Sequence, residues 1–454
     1  MPLGILLRTW LVLSVASFPR PAVSVLIYLA KRHHDNIEAS PLLRGIVNET
    51  FYKAFCVGQT RDEITENMDE LRHMGVSGVI LSCAREAKAN MEADDQTHLE
   101  EHDLPLQEWV VSNLETISML QKGDFLALHC TGSGQTTLAA MDRFAQYAER
   151  MEIDEAIKYV PTEMKAFRSA MHELCTAAHA RGIKILIDAE ESGRQAAIDY
   201  IALDLMSTYN KDAHALVLNT YQMYSANPWY LKRGLDKLRG HLQHAAKHKY
   251  ILGIKMVRGA YMRTEPERSV VCDTKQATDE AYDSAVKFLI SNHGKMVEDG
   301  DEDVTAWKSR GNPWRVEVML ATHNTQSARE ALRLYRKFIE ARENAEANEF
   351  GLRSLTFAQL KGMADELSFE LAADIEALSS EMRKTAKVAA PADEGHYPCI
   401  GVYKASVWGT FQECLLYMFR RADENRDAIA RSRRTAIAIA RELFRRLIHV
   451  GGTR

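Results

Sequence analysis

The fold is decided by the stretch Ile183-Lys184-Ile185-Leu186-Ile187-Asp188, a short and mainly apolar run that ends in an acidic residue. Such a run is typical of a strand that is buried on both faces of a parallel sheet. Seven further runs of this kind occur along the chain, and we predict that each forms a strand. They cover residues 78–82, 125–129, 216–220, 253–258, 316–322, 354–359 and 400–402.

Segments with helical patterns lie between most of these runs, for example at residues 163–181, 193–209 and 327–341. Alternation of strand and helix predicts a parallel α/β sheet, and eight alternations favour a closed (β/α)8 TIM-type barrel over an open sheet. The longer intervals, residues 84–122 and 259–315, are predicted to be loop or accessory-helix insertions. We predict two parts: a helical arm over residues 1–70 and a barrel over residues 71–454.

Composition excludes several classes of protein. The chain has 454 residues, of which 46% are hydrophobic and 26% charged, as in soluble globular proteins. A net charge of -5 argues against a nucleic-acid-binding protein, because such proteins usually carry a basic face. The seven cysteines are scattered without a CxxC pair, which indicates reduced, mostly buried thiols. We therefore predict no structural zinc and no other metal site.

The N-terminus has an unusual composition, since residues 1–34 contain no acidic residue while basic residues such as Arg8 and Arg20 interrupt apolar runs. The run at residues 22–30 is too short to cross a bilayer. Three interpretations remain open. The segment could be an organellar transit segment or membrane-surface helix, a secretory signal that no disulfide pattern supports, or an amphipathic arm packed on the body.

Polar residues close the C-terminal ends of the predicted strands, where the active site of a barrel lies. One such residue alone often only satisfies a loop backbone, but several on one rim predict a site. The set comprises His129, Asp188, Gln222, Arg258, His323, Asn324 and Gln359.

Three other features have both a structural and a functional interpretation. The run at residues 132–137 suggests a phosphate loop, but it lacks the lysine that such a loop requires. Gly259 and Ala260 could let a flat ring approach the backbone or could simply form a turn. Arg420 and Arg421, near the end of a helical stretch, form either a solvated face or a bidentate clamp for a carboxylate.

Six short motifs occur in an order that resembles the proline dehydrogenase (proline oxidase) family in its fungal and mitochondrial form. The resemblance extends from about residue 50 to residue 427. The motifs are Asp188-Ala189-Glu190-Glu191, Tyr221-Gln222, Val257-Arg258-Gly259-Ala260-Tyr261, Ala321-Thr322-His323-Asn324, Gln359-Leu360-Lys361-Gly362-Met363 and Arg420-Arg421-x-x-Glu424-Asn425.

This resemblance implies a distorted (β/α)8 barrel, with FAD at the C-terminal ends of the strands and a final helix over the flavin. The implied reaction oxidises proline to Δ1-pyrroline-5-carboxylate and passes the electrons to a quinone. The implied location is the matrix side of the mitochondrial inner membrane, with peripheral membrane association. The alternatives are a dehydrogenase for hydroxyproline or another cyclic imino acid, and an FAD-binding paralogue with little activity.

Site residues follow from the same resemblance. Arg420 and Arg421 are expected to bind the substrate carboxylate, and Asp188 to belong to the polar cluster around them. A positive charge near the isoalloxazine, from Lys255 or Arg258, would stabilise the anionic reduced flavin. The residues expected along FAD are Gln222, Lys255, Val257, Arg258, Gly259, Ala260, His323, Gln359, Leu360 and Glu424.

Two positions depart from the family pattern. His129 stands where members usually carry lysine, and Ala405 stands where they carry a tyrosine that packs against the substrate ring. If the last strand continues through Ala405, then Tyr403 shares its face and could partly substitute for that tyrosine; on a helix it would point elsewhere. Relatives that favour hydroxyproline carry a smaller residue here, so Ala405 favours a widened pocket.

Overall fold

A computed structural model describes the greater part of the chain. It covers residues 3–16, 39–84, 106–148, 150–225, 234–262, 268–291, 315–343, 351–385 and 399–415, together with residues 28, 32, 37, 265, 417, 418, 436, 437 and 439–445.

A closed barrel of eight parallel strands forms the body of the described structure. The eight strands β2 to β9 follow one another in chain order around the barrel, and β9 closes it by pairing with both β8 and β2. This confirms the predicted (β/α)8 barrel. The strands are β1 (Cys56–Gly58), β2 (Gly78–Cys83), β3 (Phe125–Leu128), β4 (Lys184–Ile187), β5 (Val217–Gln222), β6 (Ile251–Val257), β7 (Arg315–Ala321), β8 (Leu352–Leu360) and β9 (Cys399–Trp408).

Two strands differ from the sequence prediction in ways that matter for the site. The last strand was predicted over residues 400–402 but runs to Trp408, so Ala405 lies on a strand and not on a helix. The three-residue strand β1 was not predicted, because it is too short to produce a pattern. It pairs with the end of β9, where Cys56 lies opposite Val407.

Helices surround the barrel and precede it. The intervals predicted as insertions, residues 84–122 and 259–315, contain the helices α4 and α10, so they are crossovers between strands as well as insertions. The main helices are α1 (Leu3–Ala16), α2 (Pro41–Val47), α3 (Arg61–His73), α4 (Leu106–Met119), α5 (Gln135–Ala148), α6 (Ile153–Lys158), α7 (Lys165–Arg181), α8 (Ser192–Tyr209), α9 (Gly234–His248), α10 (Lys275–Ser291), α11 (Thr325–Glu343) and α12 (Asp365–Thr385).

The interior of the barrel is filled by small and medium apolar side chains, among them Ile80, Phe125, Leu186 and Met319. A larger apolar cluster lies between the strands and the helices. These two layers follow from the alternation of side chains along each strand. A residue's position along its strand therefore decides whether it faces the interior or the helices.

An ionic cluster lies near the N-terminal end of the barrel. Glu317 accepts a bond from Lys184 Nζ at 2.6 Å and lies 3.0 Å from His214 Nδ1. Burial would raise the pKa of Glu317, but the contacts with His214 and Lys184 outweigh it and hold the pKa below its usual range. This end is closed by structural contacts, so a ligand site belongs at the opposite mouth.

The N-terminal segment packs on the barrel through one face of α1. Leu6 and Val12 are buried, Arg8 Nη1 donates to the carbonyl of Lys53 at 3.4 Å, and the exposed face carries Leu7. These contacts favour the interpretation of α1 as a packed arm, while the boundary at residue 70 stays a prediction. Within the described residues, no helix has the length and apolar character needed to span a membrane.

Candidate active site

An ion cluster lies inside the C-terminal mouth of the barrel. Asp188 follows β4 directly, and its Oδ1 forms an ion pair with the ammonium of Lys255 on β6. His129, just after β3, places Nδ1 3.5 Å from the other carboxylate oxygen. Each of the three lies an even number of residues from an interior-facing side chain of its strand, so it also faces the interior. All three are partly exposed, as expected for groups that line an opening. The structure thus brings three predicted site residues together.

Apolar side chains continue this surface along the neighbouring strands. Val257 lies two residues beyond Lys255, on the same face of β6. Leu360, the last residue of β8, lies opposite Ala405 of β9 in the register of the two strands. Apolar side chains and a lysine at one mouth suit an aromatic ring system that becomes anionic on reduction. The residues at the mouth therefore fit the isoalloxazine of FAD.

Gln222 connects β5 to two loops at the mouth. Its Nε2 donates to the carbonyl of Glu190 at 3.0 Å, and its Oε1 accepts from the backbone N–H of Ala260 at 3.2 Å. Gly259 has a φ of +141°, and a Cβ added there would lie 1.8 Å from the ring of Tyr224. Glycine is therefore required at this turn because the Tyr224 ring packs directly against its backbone.

Arg258 lies on the helix side of the mouth. Its guanidinium donates to Asp279 at 2.5 Å, to Thr322 at 2.9 Å and to Ser327 at 2.8 Å, and it lies over the ring of Tyr282. These contacts connect the end of β6 to α10, to the end of β7 and to α11. Three of its five N–H groups donate to these neighbouring side chains. Its expected contact with FAD stays a prediction.

His323 and Gln359 brace the ends of β7 and β8. His323 Nε2 accepts from the backbone N–H of Leu360 at 3.2 Å. Gln359 donates to the carbonyl of Thr322 at 3.2 Å and accepts from the Ser368 hydroxyl at 2.9 Å. Side chains alternate along β8 and Ala358 faces the interior, so Gln359 faces α12 while Leu360 faces the interior. Their predicted contacts with FAD remain untested.

Glu190 is a residue at the mouth that our sequence reasoning did not select. It is buried, and it accepts bonds from Thr131 Oγ1 at 3.0 Å and from Tyr261 OH at 2.5 Å. Burial raises its pKa to about 7. The selection was limited to strand ends, whereas Glu190 lies two residues beyond one. Its presence in the same motif as Asp188 was the signal that could have identified it.

Ala405 and Tyr403 both face the interior, because β9 continues through them. The Tyr403 ring, however, packs edge-on against Phe125 at 5.0 Å between ring centroids, and Tyr403 is the register partner of Gly78 at the start of β2. Phe125 is the first residue of β3, so this ring lies towards the N-terminal end. Tyr403 shares the face of Ala405 but does not fill the space beside it at the mouth.

Arg420, Arg421 and Glu424 lie outside the described residues, so their roles stay predictions. The chain before them becomes helical at residues 411–415, after Gly409. Phe411 and Cys414 on this helix pack against Tyr52 of the N-terminal segment, and Tyr52 OH donates to the carbonyl of Gly409 at 3.2 Å.

Comparison with known proteins identifies the family. The family model for proline dehydrogenase matches residues 65–434. The chain is 27% identical over 442 residues to a probable mitochondrial proline dehydrogenase of Schizosaccharomyces pombe, covering 91% of this chain and 82% of that protein. It is also 23% identical over 494 residues to a hydroxyproline dehydrogenase of Bos taurus, covering 99% of this chain and 92% of that protein.

The fold has a counterpart among solved structures. The crystal structure of proline utilization A from Bdellovibrio bacteriovorus inactivated by N-propargylglycine aligns with a TM-score of 0.53 and 13% identity. The alignment covers 83% of this chain but only 32% of that longer protein. The family match confirms the predicted family, the oxidoreductase class and proline oxidation as the reaction. The chain belongs to the proline dehydrogenase family, a family of flavoenzymes, which implies FAD.

Proposed function

We propose that this protein oxidises L-proline to Δ1-pyrroline-5-carboxylate with FAD bound at the C-terminal mouth, and that the electrons pass to a quinone. The observation that carries the proposal is the mouth itself. Lys255, Asp188 and His129 meet there beside the apolar surface of Leu360 and Ala405. In a barrel of this family, such a mouth offers a place for a flat cofactor and a small ring.

When bound, FAD supplies the hydride acceptor for the ring carbon next to the proline nitrogen. The protein supplies position and charge. Lys255 would offer an ammonium to the negative charge that the flavin gains on reduction, and Asp188 holds that ammonium through the ion pair. The residues proposed to line FAD are Gln222, Lys255, Val257, Arg258, Gly259, Ala260, His323, Gln359, Leu360 and Glu424.

Arg420 and Arg421 are proposed to bind the substrate carboxylate. Paired guanidinium groups suit a carboxylate because each can donate two parallel N–H bonds. Asp188 and His129 would complete the polar wall of the same pocket. The wall and the clamp together would hold the substrate ring flat against the flavin and exclude water from the reacting carbon.

Hydroxyproline is the second candidate substrate, and Ala405 is the observation that favours it. The space beside a methyl group at the mouth could admit a ring hydroxyl or a water molecule bonded to one. The Bos taurus relative named hydroxyproline dehydrogenase is consistent with this alternative. A third possibility is a barrel that retains FAD but turns over neither compound.

A mitochondrial location is supported by relatives whose names include it, such as the Schizosaccharomyces pombe protein. We place the enzyme on the matrix side of the inner membrane, where a membrane quinone could accept the electrons. The exposed apolar face of α1, which carries Leu3, Leu7 and Trp10, would serve peripheral association.

The carboxylate clamp is tested with Arg421→Ala. The variant should retain FAD, released on denaturation in the same amount as from the parent, while substrate binding weakens by about 2–5 kcal/mol through loss of a charge-assisted contact. Arg336→Ala, at an exposed position on α11, is the matched control and should leave both unchanged. Equal substrate affinity in Arg421→Ala and the parent would mean that the two arginines form a solvated helix face and no clamp. A colourless parent that takes up no FAD would reject the flavin site.

A further inference from the structure

A cluster of two histidines and an aspartate lies on the outer ring, away from the barrel mouth. His244 and His248 are four residues apart on α9, so their rings project from one face. Asp154, in the first turn of α6, places Oδ1 3.1 Å from His244 Nε2 and 2.8 Å from His248 Nε2. One ligand atom from each residue lies within 4.8 Å of the others.

We propose that Asp154, His244 and His248 bind a divalent transition-metal ion of the zinc type. This departs from the sequence prediction of no metal site, which was drawn from the cysteines. Zinc takes imidazole nitrogen and carboxylate oxygen at about 2.0–2.2 Å, which sets neighbouring ligand atoms of a tetrahedral site about 3.3 Å apart. The two aspartate–histidine distances agree with this spacing. Two histidines at positions i and i+4 of a helix are a known arrangement for zinc. Water would take the fourth position.

The hydroxyl of Tyr250 orients one of the ligands. Tyr250 OH lies 2.8 Å from His244 Nδ1, on the side of the ring opposite Asp154. With Nε2 on the metal, the proton resides on Nδ1 and is donated to the tyrosine oxygen. Metal-bound histidines usually have such a partner, because it fixes the tautomer and the plane of the ring. Tyr250 is buried, so its hydroxyl is held in place.

Lys247 is the cation that now shares the aspartate. Its Nζ lies 2.5 Å from Asp154 Oδ2, the oxygen that the histidines do not contact. The lysine side chain is 66% exposed, so it can swing away towards the solvent when a metal binds. Lys247 therefore does not block the proposed metal site.

The location of the cluster indicates a structural role. His248 ends α9, and Tyr250 directly precedes β6, so the site lies at the N-terminal ends of the strands. Residues at that end of a barrel contribute to stability rather than to catalysis. A cation there also interacts favourably with the C-terminal end of α9. A bound ion would connect α6 to α9, two ring helices about 90 residues apart in sequence.

Equilibrium dialysis of the flavin-loaded protein against Zn²⁺, followed by metal analysis, tests the proposal. The parent, first stripped with a chelator, should bind one high-affinity Zn²⁺ per chain and melt at a higher temperature with the ion than without it. Tyr250→Phe should weaken the affinity about 10- to 100-fold, the usual effect of losing an orienting partner. His248→Ala should abolish both the tight binding and the thermal shift.

His73→Ala is the matched control, because His73 is exposed near the end of α3 and far from the cluster in sequence. It should bind Zn²⁺ as the parent does. Oxidation of proline should be equal in the parent and in His248→Ala, so this test is independent of the proposed function. If the parent binds no Zn²⁺ beyond what His248→Ala binds, the cluster is only a set of ion pairs and the metal site is rejected.

Discussion

At the residue scale, we propose that Ala405 determines how the mouth discriminates between substrates. Its methyl group lies level with Leu360, and the nearest aromatic ring on the same strand, Tyr403, packs against Phe125 towards the other end. Contacts across an empty space contribute nothing to binding. A proline ring should therefore be held weakly here, and a hydroxylated ring should lose less.

Ala405→Tyr should raise kcat/KM for proline and lower it for hydroxyproline. Filling or emptying a pocket by a few heavy atoms changes transition-state binding by about 1–3 kcal/mol, or about 10- to 200-fold in the ratio of the two values. The measurement is kcat/KM for both substrates in both proteins. An unchanged ratio would assign discrimination to another residue of the mouth, and His129 would be tested next.

Glu190 should make the stability of the protein depend on pH. Burial raises its pKa from 4.5 to about 7, so between these values the folded state holds a proton that the unfolded chain releases. Stability must therefore fall as the pH rises through this window. Glu190→Gln removes the titration. The free energy of unfolding of the variant, relative to that of the parent, should be about 2 kcal/mol higher at pH 8 than at pH 5. The reason is that each unit of pKa shift is worth about 1.4 kcal/mol.

Urea unfolding of the two proteins at both pH values measures this gain. The glutamine keeps the shape of the side chain, so it can still accept from Thr131 and contact Tyr261. A stability difference between variant and parent that is the same at pH 5 and pH 8 would show that Glu190 titrates normally.

At the scale of elements, Lys404 fastens β9 to β8 and α12. Its side chain is 1% exposed, forms an ion pair with Asp365 at 2.6 Å, and donates to the carbonyls of Leu360 and Met363 and to the Ser368 hydroxyl. Removing one partner of a buried ion pair leaves the other charge uncompensated. This lysine lies on the helix side of the strand that carries Ala405.

Lys404→Met should therefore lower the free energy of unfolding by about 3–5 kcal/mol. Lys337→Met, at an exposed position on α11, is the control and should change it by less than about 0.5 kcal/mol. Urea denaturation of the three proteins measures these free energies of unfolding. Equal midpoints for Lys404→Met and the parent would mean that the other contacts of β9 position it alone.

Sequence patterns predicted most strands and helices, because buried parallel strands and amphipathic helices are local features. They did not predict where strands end. Extending β8 by one residue adds Leu360 to its interior face at the mouth, and extending β9 places Ala405 on a strand. Strand ends depend on pairing with distant neighbours, such as β1 with β9, which no local pattern contains.

At the scale of the whole molecule, the barrel and its family were accessible from the sequence, because eight alternations and six ordered motifs constrain both. Contacts between distant segments were not. The spacing of His244 and His248 is visible in the sequence, but only the fold brings Asp154 to them. The partners of the buried Glu190 likewise come from two separate loops.

We propose that this mouth binds FAD and oxidises proline. The decisive measurement is an anaerobic titration of the purified, flavin-loaded protein with L-proline, trans-4-hydroxyproline and pipecolate, with the visible absorbance of the flavin as the readout. We predict that proline bleaches the flavin completely and that hydroxyproline does so as well, because Ala405 leaves room for the hydroxyl. A flavin spectrum that none of the three compounds changes would contradict the claim and would identify a barrel that holds FAD without turnover.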